Sequence, residues 1–277
     1  MIQCYGKFII RKDANMNIIV CIKQVPDTNK VEVDPVTGVL KRNGVESKMN
    51  PYDLYAIETA LRLKEQTNGK VTVITMGPPQ AEAVIRESYS LGTDAGMLLT
   101  DRAFAGADVL ATSKALSGGI DLIGEYDLII CGKQSTDGDT AQVGPEISEW
   151  LGLPSVTNVT AVHEVTDKTI TVSRELPEAS ETLVLTFPCL ISVEKDICIP
   201  RLPSYLKKQA TKDREVKYVT LKDLKDNSPE GYGLNGSPTQ VQRIFPPSVN
   251  DDRETWNGSA EELSARLASK LKELKFI

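Results

Sequence analysis

The sequence predicts an α/β fold, a doubly wound and mostly parallel sheet, with an extended C-terminal arm and helix. Three observations predict it. Short apolar, β-branched runs recur along the first half, helical apolar spacing separates them, and Gly, Pro, Asn or Asp stands at nearly every junction. Strands alternating with helices at this spacing build βαβ units, which close as a parallel sheet covered on both faces.

Asn17–Val25 is apolar and β-branched and reads as a buried strand, and Val31–Lys41, with Asp34-Pro35 and Gly38, suggests a short hairpin. Asn50 reads as an N-cap with Pro51 at the first helical position; Leu54, Ile57 and Leu61 share one face, and Asn68-Gly69 closes the helix. Lys70–Met76 is the next strand, stopped by Gly77-Pro78-Pro79, and Gln80–Leu91 is a helix ending at Gly92. Ala95–Thr100 is a third strand, followed by a loop and a helix over Ala107–Leu116. Tyr126–Gly132 is a fourth strand, and its Gly- and Asp-rich loop leads into a helix over Thr140–Leu151. Beyond it Ser155–Val162, Thr169–Arg174, Glu181–Phe187 and Cys189–Glu194 read as extended, so some antiparallel pairing is expected.

The 277 residues allow one large domain or two small ones. Residues 1–15 lack a secretory h-region and read as an N-terminal extension, 16–194 as the sheet domain, and 195–277 as arms directed at partners. Within the last part, 195–225 is locally basic, 226–258 is rich in Pro, Gly, Asn and Ser, and a helix follows Ser259. Its N-cap has Glu262 three residues on, and Leu263, Leu267, Leu271 and Leu274 make an apolar stripe, either for this domain or for a partner.

Composition excludes several functions. Lys+Arg 32 against Asp+Glu 38 leaves a net charge of −6 and aromatics are 5%, which argues against nucleic acid. No apolar run approaches the roughly 20 residues that cross a bilayer, so no membrane partner is expected. Five cysteines, Cys4, Cys21, Cys131, Cys189 and Cys198, are odd in number and never in CxxC, which fits a reducing cytoplasm and no metal site. The single histidine, His163, reads as a surface residue of a strand and rules out a His-based triad or a multi-histidine metal site.

In doubly wound sheets ligands sit at the carboxyl ends of the strands where the order reverses. That selects residues 23–28, 76–80, 101–108 and 132–143. The last loop runs Gly132-Lys133-Gln134-Ser135-Thr136-Asp137-Gly138-Asp139-Thr140-Ala141-Gln142-Val143. Asp139 and Gln142 have capping-box spacing, and Gly132 and Gly138 permit amides aimed into the crevice, so the loop either grips phosphate or is a well-capped turn. Asp137 and Asp139 suit a ribose hydroxyl or the cap better than phosphate. The fingerprint GxGxxG is absent after the first strand, and Ser117-Gly118-Gly119 reads as a helix C-terminus.

Taken together, Cys21-Ile22-Lys23-Gln24-Val25-Pro26-Asp27, Met49-Asn50-Pro51-Tyr52-Asp53, Met76-Gly77-Pro78, the loop 132–145 and Ile199-Pro200-Arg201 resemble the β subunit of electron-transfer flavoprotein. The resemblance runs from about Met16 to the C-terminus. It implies a Rossmann-like, adenine-nucleotide-binding sheet, a homologous α subunit as partner, and a pocket formed by Cys21, Asn50, Pro51, Tyr52, Asp53, Met76 and Gly132 through Val143. Gln142-Val143-Gly144-Pro145, and residues 101–108 with Phe104, Asp108 and Thr112, resemble the electron-bifurcating members. That type implies FAD in the pocket where ordinary members hold AMP. It further implies NADH as the electron source, ferredoxin or flavodoxin as one acceptor and, through the α-subunit FAD, a flavin dehydrogenase as the other. No catalytic side chain is implied, because the cofactor carries the redox chemistry. The alternatives are a non-bifurcating subunit holding structural AMP and a nucleotide-binding sensor without electron transfer. Asp108 is equally explained as a helix cap, and 195–225 as a solvated face. In the family the 195–225 segment docks an acyl-CoA dehydrogenase; Leu202-Pro203-Ser204-Tyr205-Leu206 departs from the usual Lys-rich continuation, which leaves a flavin-dependent 2-hydroxyacid dehydrogenase as a competitor.

Overall fold

A computed structural model describes residues 9–10, 15–27, 47–242 and 253–277. The expected hairpin over 31–41 lies outside the described residues. The central strands are β2 (Asn17–Cys21), β5 (Lys70–Met76), β6 (Ala95–Leu99), β7 (Leu128–Gly132), β8 (Ser155–Val165) and β11 (Cys189–Val193). At the edges stand β9 (Thr169–Leu176), β10 (Ala179–Thr186) and β12 (Lys217–Val219), and the order is β10-β9-β8-β11-β7-β2-β5-β6-β12. Every pairing from β8 to β12 is parallel, while β8-β9-β10 is an antiparallel extension. The mixed α/β sheet therefore matches the class the alternating pattern predicts.

Helices α1 (Pro51–Thr67) and α2 (Glu82–Leu91) cover one face, where Ala56, Ile57, Leu61, Val84 and Ile85 pack on Ile18, Val20, Val71 and Val73. Helices α3 (Val109–Ile123) and α4 (Val143–Leu151) cover the other, where Ala115, Ile120 and Ile147 pack on Ile19, Ile74, Leu99 and Ile129. Odd and even residues of β2 thus enter different cores, as strand alternation requires.

The departures from the sequence reading have local causes. The first strand ends at Cys21 rather than Val25 because the Lys23 amide leaves the ladder and donates to Asp53 Oδ2 at 2.7 Å. Gln24–Pro26 (β3) pairs instead with Ser47–Met49 (β4) in a separate two-stranded sheet. Helix α3 runs on to Ile123, so Ser117-Gly118-Gly119 lies inside it rather than at its end. Those glycines serve packing: a Cβ on Gly119 would lie 2.8 Å from Ile74 Cδ1 and 2.9 Å from Leu99 Cδ1. Helix α4 starts at Val143 rather than Thr140, because Asp139 and Ala141 take positive φ of 54° and 56° and interrupt any helical start.

Two segments assigned by sequence to the periphery join the sheet. Ile9–Ile10 (β1), from the N-terminal extension, pairs parallel with β8, and β12, from the stretch read as a partner arm, pairs with β6. Short α5 (Tyr205–Ala210) precedes β12. One compact unit comprises residues 1–32 and 41–242. A second unit comprises 33–40 and 243–277. Its described part holds α6 (Ala260–Glu273), where Ser259 and Glu262 form the expected capping box and Arg266 lies over the Trp256 ring at 4.5 Å. Leu267 and Leu274 of the stripe are exposed. His163, on β8, is exposed and shares a 2.7 Å hydrogen bond with Ser173.

Candidate functional site

The strand order reverses between β2 and β7. From β2 the chain proceeds outward through β5 and β6, then returns to lay β7 on the opposite side of β2. The crevice at their carboxyl ends is the place such sheets reserve for a ligand. Cys21, the last residue of β2, and Cys131, one residue before the end of β7, lie directly opposite one another in register, and both are buried. The Cys21 side chain as hydrogen-bond partner, followed by burial, pushes the Cys131 thiol well above its ordinary value. It is a neutral thiol.

Above this pair, the first turn of α1 meets the loop after β7. Asn50 is 1% exposed and does not cap its own helix. Its Nδ2 donates to Asp53 Oδ1 and to the Gln134 carbonyl, both at 2.9 Å, and its Oδ1 accepts the Thr136 amide at 3.2 Å. One amide side chain therefore staples helix to loop. Asp53 beneath it is buried and takes hydrogen bonds from Asn50 and the Lys23 amide. Burial outweighs those bonds and raises its pKa to about 7, so near neutrality this carboxyl is poised between its acid and anion.

Gly132 is a close-approach glycine rather than a turn glycine. A Cβ there would lie 2.5 Å from Asp53 Oδ1 and 2.8 Å from the Tyr52 carbonyl carbon, so only Gly lets β7 and α1 meet. Pro51 opens α1 and Tyr52 is half-buried against that contact. Beyond Gly132, the Lys133 amide donates to the Val193 carbonyl and its ammonium pairs with Glu194 at 2.5 Å. Lys23 reaches across the crevice to Asp137 at 2.6 Å and to Ser135 Oγ at 3.3 Å. Partial desolvation opposes ionisation of Asp137, yet the Lys23 ammonium holds its carboxyl below the usual range.

The expected capping box does not form. The Asp139 carboxylate accepts instead from Gln134 Nε2 at 2.6 Å, and Gln142 precedes α4 with no side-chain cap. The Val143 and Gly144 amides of the first turn of α4 thus carry no side-chain cap, while Thr136, Asp137, Gly138, Asp139, Thr140 and Gln142 are exposed along the rim and Ala141 is half-buried. Uncapped amides for phosphate, carboxylates for ribose hydroxyls and a buried floor are what an adenine nucleotide requires. The residues fit that group.

Met76 ends β5 on the same side of the sheet and is half-buried. The loop 101–108 follows β6 at that edge too, but its side chains are engaged elsewhere. Phe104 is buried, edge-on to Tyr232 with ring centroids 5.8 Å apart. Asp108 caps α3 through the Ala111 amide at 3.1 Å and accepts from the Thr239 amide and hydroxyl at 3.0 and 2.7 Å. Thr112 lies one turn into α3, half-buried. Sequence reasoning missed Lys23 as the partner of Asp137 and missed 232–239 as the support of this loop. The motif containing Lys23 was the available signal for the first.

A family model described as the electron transfer flavoprotein domain matches residues 37–224. The chain is 47% identical to the electron transfer flavoprotein subunit beta of Thermoanaerobacterium thermosaccharolyticum, across 92% of this chain and 98% of that protein. It is 45% identical to the subunit beta of Clostridium acetobutylicum, across 95% of this chain and all of that protein. It is 43% identical to the caffeyl-CoA reductase-Etf complex subunit CarD of Acetobacterium woodii, again across 95% of this chain and all of that protein.

Proposed function

This chain belongs to the electron transfer flavoprotein family, as a beta subunit, and from that premise we propose that it binds FAD at the β2/β7 crevice and serves an electron-bifurcating complex. The observation that carries the reading is the crevice itself: a stapled loop, an uncapped α4 and a buried floor at the reversal of strand order. Similarity to CarD, named as part of a caffeyl-CoA reductase-Etf complex, supports the choice of the bifurcating type.

In this reading the first turn of α4 takes the pyrophosphate, Asp137 or Asp139 takes the ribose, and Asn50 holds the loop against α1. Below neutral pH protonated Asp53 and the neutral Cys131 thiol, with buried Cys21 beside them, form the floor that keeps water from beneath the ligand. Phe104, Asp108 and Thr112 shape the wall on the β6 side. FAD bound here would supply the redox chemistry, with NADH as two-electron donor and with ferredoxin or flavodoxin and, by way of the α-subunit FAD, a flavin dehydrogenase as the two one-electron acceptors. The exposed apolar side chains Ile199, Leu202, Tyr205 and Leu206 form the docking surface for that dehydrogenase, of the acyl-CoA or the 2-hydroxyacid class. The described chain has no helix long and apolar enough to cross a membrane, which suits exchange between cytoplasmic carriers.

Flavin counting tests the proposal. Two FAD per purified heterodimer, with NADH oxidation that requires both acceptors, is the expected result; one FAD and one AMP overturns it.

A further inference from the structure

Ile199 and Leu202 are 66% and 87% exposed on a chain that runs from Glu194 to Ser204 without helix or strand, and Tyr205 and Leu206, 72% and 79% exposed, open the short helix α5 that follows it. An irregular segment carrying that much apolar surface collapses onto the nearest apolar neighbour unless something holds it out. Here it is tied underneath. The Arg201 guanidinium grips Glu58 with both Nε (2.7 Å) and Nη2 (3.3 Å), and the Arg201 amide donates to the same carboxylate at 3.2 Å. Arg201 Nη1 reaches Glu65 at 2.6 Å, and Arg62 Nε reaches Glu58 at 2.8 Å. Glu58, Arg62 and Glu65, spaced four and three apart, share one face of α1.

Two further ties bracket the clasp. Cys198 is buried 3.7 Å from Thr59 Oγ1, and the Ser204 amide donates to the Ser90 carbonyl at the end of α2 at 3.0 Å. Burial opposes ionisation of Glu58, but the hydrogen bonds from Arg201 and Arg62 outweigh it and hold the carboxyl below its ordinary range. Such a carboxylate, with four donors and little water, is fixed in direction as an exposed ion pair is not. The same helix carries Asp53 in its first turn, so the clasp lies about 8 Å along the axis from the crevice floor.

We propose that Glu58 and Arg201 are positioning residues for partner docking: their clasp fixes the apolar segment 199–206 in the one arrangement the dehydrogenase reads. The inference rests on the docking role given to that segment above. It assigns the recognition geometry to a polar pair rather than to the apolar side chains themselves.

The test uses the purified heterodimer, with the acyl-CoA dehydrogenase and the 2-hydroxyacid dehydrogenase of the same organism titrated as redox partners and a small dye as control acceptor. In R201A an unfastened segment competent one time in ten raises the KM for the protein partner about tenfold, while kcat, dye reduction and flavin content stay unchanged. R201K keeps the charge without the fork and gives an intermediate KM. E58Q/R201M removes both charges, leaves no unpaired buried carboxylate, and reproduces the R201A effect should R201A fold poorly. L202A/Y205A also raises the KM. If it does and neither clasp variant does, the clasp proposal is overturned alone. If L202A/Y205A leaves the KM unchanged, or neither dehydrogenase exchanges electrons with the complex, the docking reading fails and the clasp proposal with it.

Discussion

Replacing Asp53 by Asn turns the electrostatics of the crevice floor into a stability measurement. The carboxyl titrates at about 7 in the folded protein against a reference of 3.8, chiefly through burial. The sign follows from proton counting. Between these values the folded state holds a proton that the unfolded chain has lost, so stability falls as pH rises from about 4, and the loss is complete above about 7. A difference of this size corresponds to about 4 kcal/mol in total, of which about 3 kcal/mol falls between pH 5 and 8. The charged groups nearest the carboxyl are Lys23 and Asp137, which pull in opposite directions. Asn cannot ionise, but its amide group must face one of the two donors, Lys23 N–H or Asn50 Nδ2, at a cost of about 1–2 kcal/mol. D53N is therefore expected to be slightly less stable than the parent at pH 5 and more stable at pH 8. Urea unfolding of both proteins at matched concentration across this range gives the difference directly. A difference that stays flat within 1 kcal/mol would mean that Asp53 is ionised in the fold and that water reaches the floor.

Three further outcomes follow from the same geometry. G132A drives a methyl into Asp53 and the Tyr52 backbone, and should cost about 1–3 kcal/mol and release the bound nucleotide on desalting. G138A, whose Cβ meets only Ser135 Oγ at 3.3 Å, should retain it. N50A strands the Thr136 amide and the Gln134 carbonyl together, so a loss of at least about 2 kcal/mol and faster amide exchange at Thr136 are expected in hydrogen-exchange mass spectrometry. F104A opens a cavity against Tyr232 and should lower stability by about 3–5 kcal/mol; unchanged stability would place the ring outside the core.

Much of the arrangement is legible before folding because it depends on local chemistry. The strand runs at 17–21, 70–76, 95–99 and 128–132 announce themselves by apolar β-branched residues, and the helix starts at Pro51 and Ala260 by their caps and first turns. The crevice loops were legible for the same reason, since a parallel sheet has its loops at known ends. The misreadings share one cause. Gly118 and Gly119 look like a helix end until Ile74 and Leu99 are seen pressing on α3, and Gly132 looks like a turn until Asp53 is found against it. Likewise, β12 has only three residues, too few for a periodic signal, and becomes a strand because β6 offers an open edge.

The sequence by itself determined the α/β class, the alternation of the central strands and helices and the end of the sheet at which to look for a ligand, because propensity and spacing act within a few residues. Only the tertiary structure decided which neighbours those residues meet. It brought Lys23 to Asp137, Asn50 to Gln134 and Arg201 to Glu58, over separations of 114, 84 and 143 residues. A carboxyl at position 53 or 58 carries no sign of its state in the chain. Burial that its hydrogen bonds and the Lys23 charge do not offset raises one to about 7, and two guanidinium groups hydrogen-bonded to the other hold it below its ordinary range.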